Sequence, residues 1–298
     1  MKPNPILKKL GFAADDRVVI IHADDIGMCQ ATLPAFADLV DFGLVSSGAA
    51  MVPCPWFPEL AAYCNQHPRV DMGVHLTLTS EWDSYRWGPI STRDPASGLM
   101  DEAGYFHQTS EAVQERANPA AVQAEIQAQV ARALAGGIDV THVDTHMGTV
   151  AHSKFIPGYV QLALQHRLPF LMLRLDEAGW RAAGLDDETA AFAAQFVTQL
   201  EEQGVPMLDR LSQELPLDEH EDRVAVAKRV FDSLPTGLTH FILHPAYDTP
   251  ELRAIAPDWR GRVADYRAFM SHELRDYIEE IGIHVIGYRD LRDLVRGT

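Results

Sequence analysis

The stretch "VVIIHADDIG", residues 18 to 27, ends an apolar run with a histidine and two adjacent acids, Asp24 and Asp25. Neighbouring carboxylates in one desolvated site cannot both stay ionised cheaply unless positive charge sits beside them. Either the pair is wet, or a cation belongs there. Other apolar runs end the same way: His75 follows "DMGV", His142, Asp144 and His146 occupy "THVDTH", Arg174 follows "LML", and His244 follows "THFIL". One polar residue at a strand end is usually a satisfied hydrogen-bonding group, but the recurrence places ionisable groups where βα loops open in parallel sheets. Alternate side chains of a strand share a face, so His142, Asp144 and His146 project to one side. Two imidazoles and a carboxylate suit a divalent metal with open coordination positions. Such a cation also resolves the repulsion in "DD": one carboxylate ligates it while the other accepts a proton.

The elements that must position these residues alternate between short β-branched runs and longer helical patterns, the signature of βα units. Strands are expected at 18–21 and in "SSGAAMV", "VDMGVHLTLT", "DVTHVDTH", "FLMLRL", "LTHFILH" and "IHVIGY". Helices are expected in "QATLPAFADLVDFG", from about Trp56 to His67, in "NPAAVQAEIQAQVARALAGG" between an Asn cap and closing glycines, near 184–203 and 220–233, and in "VADYRAFMSHELRDYIEEIG". The fold class is therefore α/β: a distorted or partly open (β/α) barrel of about seven parallel strands. The chain reads as a single domain, 1–298, with 80–118 and 176–219 as insertions.

Lys and Arg number 25 against 42 Asp and Glu, a net charge of −17 that repels nucleic-acid backbones and anionic membranes, so neither is an expected partner. Cys29, Cys54 and Cys64 form no CxxC pair, which argues against a disulfide framework or a thiolate zinc site. With no apolar leader after Met1 and no long apolar span, the expected location is cytoplasmic. Oligomeric state stays open, a homodimer being one option.

"HADDIG", "GVHLTLT", "THVDTH" and "LHPA", in this order, resemble the YdjC-like (ChbG-type) carbohydrate deacetylases, relatives of the NodB-type polysaccharide deacetylases. The resemblance implies a distorted β/α barrel that uses one divalent metal ion, zinc or magnesium, to remove an acetyl group from an N-acetylated amino sugar or small oligosaccharide. It places metal ligands at Asp25, His75 and His146, the catalytic base at Asp24, a general acid at His244, and at Arg174 an arginine that orients the base. The chain departs from the family's "HxDSHHHxH" pattern by carrying Met147 and Thr149 in place of later histidines. His142 and Asp144 are expected to line the pocket or fix a ligand ring.

Trp82, Tyr85 and Trp87 lie within six residues on a polar loop, where aromatic faces suit stacking on a sugar, although packing of the loop itself explains them equally well. Two other functions compete. A two-histidine, one-carboxylate site also fits a non-haem iron oxygenase, which usually sits in a double-sheet β fold rather than alternating strands and helices. A non-catalytic carbohydrate- or metal-binding module would bind without releasing acetate.

Overall fold

The computed structural model of the protein describes residues 3–216 and 222–297. Seven strands form one all-parallel sheet: β1 Arg17–Ile26, β2 Ser47–Ala50, β3 Met72–Leu76, β4 Val140–Thr145, β5 Arg210–Ser212, β6 Gly237–Leu243 and β7 Ile283–Val285. The order is β4-β3-β2-β1-β6-β5, with β7 paired to β1. One edge of β1 holds β6 along Arg17–Ala23, while the other is shared in succession by β7, along Arg17–Val19, and β2, along His22–Ile26. The central strand thus changes partner halfway along its length.

The sheet curls into a partly open barrel. "FLMLRL" forms no strand; as an extended seam it spans the gap between the outer strands through isolated parallel bridges, Val143 to Phe170 and Leu173 to Leu208. Backbone bonds run from Val143 N to Pro169 O (3.1 Å), Leu171 N to Val143 O (3.1 Å) and Arg174 N to Leu208 O (2.8 Å). Pro169 has no N–H to extend the ladder. The seventh strand comes instead from β5, inside the 176–219 segment expected to be an insertion.

The helices follow their sequence signals. Asn118 caps Pro119–Ala135 by accepting from Ala120 N, and Gly43, at φ 85°, closes Thr32–Phe42. The single helix expected over "VADYRAFMSHELRDYIEEIG" is two, Trp259–Phe269 and His272–Glu280, because the Ser271 side chain caps the second by accepting from Leu274 N. The helix expected near 220–233 is described as Arg223–Ser233; residues 220 and 221 lie outside the described residues. The 80–118 segment holds a 3₁₀ turn, Pro95–Ser97, and a short helix, Ser110–Arg116.

Strand alternation sorts β1 in two. Val19, Ile21 and Ala23 pack outward in the main core beneath the helices, whereas Val18 and Ile20 join Leu238, Tyr288 and Leu291 in a separate apolar cluster. That cluster fills the lower interior, where the helices Pro5–Lys9 and Tyr288–Arg296 contribute side chains. Above it the interior turns polar, with a layer of buried histidines, His22, His142 and His240. The His142 ring stacks on Tyr288 (centroids 3.8 Å, interplanar 15°) and on its other side fits against Gly73, where a Cβ would lie 2.4 Å from the ring.

Gly73→Ala is therefore expected to overpack this layer and lower stability by about 1–3 kcal/mol. A shift in urea midpoint relative to the parent checks this.

Candidate active site

The acid pair sits where β1 leaves the sheet. On a regular strand Asp24 and Asp25 would face opposite sides. The register between β1 and β2 slips between Ala23 and Ile26, and Asp25 adopts a left-handed backbone, φ 64°. Both carboxylates consequently border one cavity of about 890 Å³, within the usual range of small-molecule sites. His75 of β3, His146 just past β4 and His244 just past β6 border it too.

Asp25, His75 and His146 offer donor atoms that all lie within 4.8 Å of one another. His75 Nε2 is 3.5 Å and His146 Nδ1 3.1 Å from Asp25 Oδ1, a buried oxygen with no hydrogen-bond partner. The opposite nitrogen of each ring is held by a carboxylate: His75 Nδ1 by Asp144 (2.8 Å) and His146 Nε2 by Glu81 (2.9 Å). Ligands of a bound divalent ion are built this way, with an outer carboxylate fixing each imidazole. The donor set and the orphaned oxygen together fit a metal. The second Asp25 oxygen accepts from Arg262 (2.8 Å), whose guanidinium also reaches Asp258 (3.0 Å).

Burial opposes charge on every group here, yet the pairings overcome it. Asp25 is held well below the ordinary carboxylate range by Arg262 and His146 against the cost of burial. Asp24 is lowered likewise, by His75 and by its bond to His22. Glu81 and Asp25 raise His146 to about 9, and Asp144 and Asp24 raise His75 well above an ordinary imidazole. A bound cation would supply the positive charge that the paired acids need and would displace any proton from the two rings.

Asp24 Oδ1 meets His22 Nδ1 at 2.6 Å; Oδ2 faces the cavity, 3.7 Å from His75 Nε2 and 4.0 Å from His244 Nε2. The floor is thus acid and histidine. Trp82, Asp258 and Arg262 contribute further lining, while Met172, Leu173, Trp180, Leu211 and Leu215 supply apolar surface.

Several expected site residues lie elsewhere. Arg174 does not reach Asp24; it bonds Glu201 (2.7 Å) and Asp209 (2.9 Å), because the seam turns it toward the β5 side. His142 is fully buried under Gly73 and Tyr288 and cannot touch a substrate. Asp144, by contrast, borders the cavity as expected and also holds the His75 ring. Of the loop aromatics only Trp82 borders the cavity. Tyr85 donates to Met28 O (2.8 Å) and the buried Trp87 to Thr79 O (2.7 Å), so both pack the loop. Sequence reasoning missed Glu81, Arg262, His22 and His240. The last two share the alternation of Asp24 and His244 on their strands; Arg262 lies 237 residues from Asp25, and no local pattern marks it.

A parallel β/α barrel with an acid–histidine cluster at the carboxyl ends of its strands defines the class. The profile of the YdjC-like proteins matches residues 18–280, and the chain belongs to this family. It is 34% identical, over 97% of its length and 98% of the relative's, to a protein of Thermus thermophilus named carbohydrate deacetylase. A protein of that name from Thermoanaerobacter pseudethanolicus is 24% identical over 93% of this chain and 100% of its own. Among solved structures, one from Enterococcus faecalis, described as a candidate cellobiose-phosphate cleavage protein, superposes with a TM-score of 0.76 at 24% identity, covering 93% of this chain and 99% of that one. It supports the fold.

Burial and the neighbouring imidazoles hold His142 and His240 well below the ordinary histidine range. Below about pH 6.5 the unfolded chain takes up protons at these rings and the folded chain does not, so stability falls with pH by up to about 1.4 kcal/mol per unit for each ring. His75 and His146, raised in the fold, work the other way at about pH 6.5, where the unfolded rings are only half protonated, and offset part of the loss; by about pH 5.5 they are protonated in both states and add little. Urea midpoints of metal-free protein should drop between pH 6.5 and 5.5, and His240→Gln should show a shallower slope.

Proposed function

We propose that this chain is a divalent-metal carbohydrate deacetylase, cleaving the N-acetyl group of an amino sugar or small oligosaccharide. The observation that supports this best is Asp25 Oδ1, a buried anion without a hydrogen-bond partner, facing two imidazoles that are each held from behind by a carboxylate. The names of the T. thermophilus and T. pseudethanolicus relatives support the same reading.

Asp25, His75 and His146 would hold the ion. When bound, it supplies an acidified water and a positive charge for the oxyanion of the attacked carbonyl. Asp24 accepts the proton of the attacking water at Oδ2, because Oδ1 is engaged by His22. His244, across the floor and partly open to solvent, delivers a proton to the leaving nitrogen, since an amide anion is a very poor leaving group. Its backbone N–H donates to buried Asp265 (3.0 Å), which fixes the start of the loop after β6. Arg262 neutralises Asp25 and keeps its carboxylate aimed at the imidazoles. Trp82 beside this floor offers an aromatic face to a sugar ring.

No helix among the described residues is long and apolar enough to cross a membrane. A cytoplasmic location agrees with the acidic composition and completes the proposal, with a small N-acetylated carbohydrate as the partner.

Acetate release from N-acetylated chito-oligosaccharides is the direct test, and sugar binding without release would favour a binding module. Chelation should abolish release and a restored divalent ion should recover it, whereas dependence on oxygen and an oxo-acid would favour the oxygenase. Asp24→Asn and His244→Ala are each expected to retain metal while losing about 10²- to 10⁴-fold in kcat. Near-parent rates in both would reject these roles.

A further inference from the structure

We infer that His22 is a positioning residue for Asp24, and that its tautomer is set from the far end of the barrel by a hydrogen-bonded chain through His142, Thr141 and Asp71. The inference rests on the reading of Asp24 as the base. The chain is continuous: Asp24 Oδ1 to His22 Nδ1 is 2.6 Å, His22 Nε2 to His142 Nε2 is 2.9 Å, His142 Nδ1 to Thr141 Oγ1 is 3.0 Å, and Thr141 Oγ1 to Asp71 Oδ1 is 2.5 Å. Every member is at least nine-tenths buried. At its far end Asp71 also accepts from Ser47 Oγ (3.0 Å) and from the backbone N of Arg289 (2.6 Å).

Counting hydrogens leaves two arrangements of this chain with neutral rings. Two imidazole nitrogens at 2.9 Å must be one donor and one acceptor, and a neutral ring carries one hydrogen. In the first, Asp71 holds a proton and gives it to Thr141, Thr141 donates to His142 Nδ1, His142 Nε2–H donates to His22 Nε2, and His22 Nδ1–H donates to an ionised Asp24. In the second every bond is reversed, Asp71 is ionised, and Asp24 holds the proton. Only the first leaves Asp24 free to accept one. It also engages Oδ1 and leaves Oδ2 as the atom facing the cavity.

The surroundings favour a fixed geometry. His142 is clamped between Tyr288 and Gly73, and Gly287 leaves room for Asp71 Oδ2, which a Cβ there would approach to 2.3 Å. Burial pushes the Asp71 carboxyl up, in keeping with the protonated end of the first arrangement. His22 and Asp24, with Asp144 and His240, also offer donor atoms that could meet at one ion. Both nitrogens of His22 are already engaged, which favours the hydrogen-bonded chain.

Thr141 and Asp71 do not border the cavity, so they test the chain without touching substrate. Thr141→Val keeps the shape and removes the hydroxyl; kcat should fall about tenfold or more, with KM and bound metal unchanged. Thr141→Ser restores the hydroxyl and Asp71→Asn keeps a neutral donor, so both should stay within about threefold of the parent. Independently of turnover, long-range ¹H–¹⁵N imidazole spectra should show His22 protonated at Nδ1 in the parent and in these two variants. An Nε2–H tautomer in the parent overturns the inference, as does a Thr141→Val protein with parental kcat and spectrum. A parent that releases no acetate overturns the deacetylase reading instead, and the spectra then decide the chain by themselves.

Discussion

Two consecutive residues of a strand can serve one cavity only if the backbone between them leaves the strand. At the end of β1 it does so at Asp25, whose left-handed conformation, with the slip against β2, swings its carboxylate to the side of Asp24. Aspartate tolerates this geometry better than most residues because its short polar side chain bonds locally. The strain, of order 1–3 kcal/mol, is offset by the buried pair with Arg262 and by the two facing imidazoles. The meeting of the Asp25 carboxylate with His75 and His146 beside Asp24 follows from that turn.

Barrel interiors are usually filled by branched apolar side chains. Here only the lower layer is, around Val18, Ile20 and Leu238. The middle layer of His22, His142 and His240 gives up apolar burial for hydrogen bonds, an exchange that is costly wherever a buried polar atom lacks a partner. Most of these atoms have one; His240 Nε2 does not, although its Nδ1 meets the Tyr288 hydroxyl at 2.7 Å. An apolar layer would stabilise the barrel as well but could not orient Asp24.

Much of this was legible in the sequence. Apolar runs ending in ionisable residues marked the carboxyl ends of β1, β3, β4 and β6, and cap residues such as Asn118 and Gly43 marked helix ends. The motif resemblance assigned Asp25, His75 and His146, which the fold brings together. The seam was misread because an extended apolar segment looks like a strand whether or not its neighbours offer a continuous ladder. Arg174 was misassigned because a residue's place at a strand end says nothing of which way the chain turns next. Glu81 and Arg262 were invisible, since each meets its partner through the fold rather than through any spacing in the chain.

The seam also separates two duties of the cavity wall. Asp24, Asp25, His75 and Asp144 stand on strands joined by ladders of several residues from β1 to β4, whereas Leu171, Met172 and Leu173 stand on a segment joined to its neighbours by single bridges. Compliance is therefore concentrated on the side that shapes the apolar surface and withheld from the side that holds the reactive atoms. Residues there can diverge and refit the cavity to new ligands while the reactive geometry stays as it is.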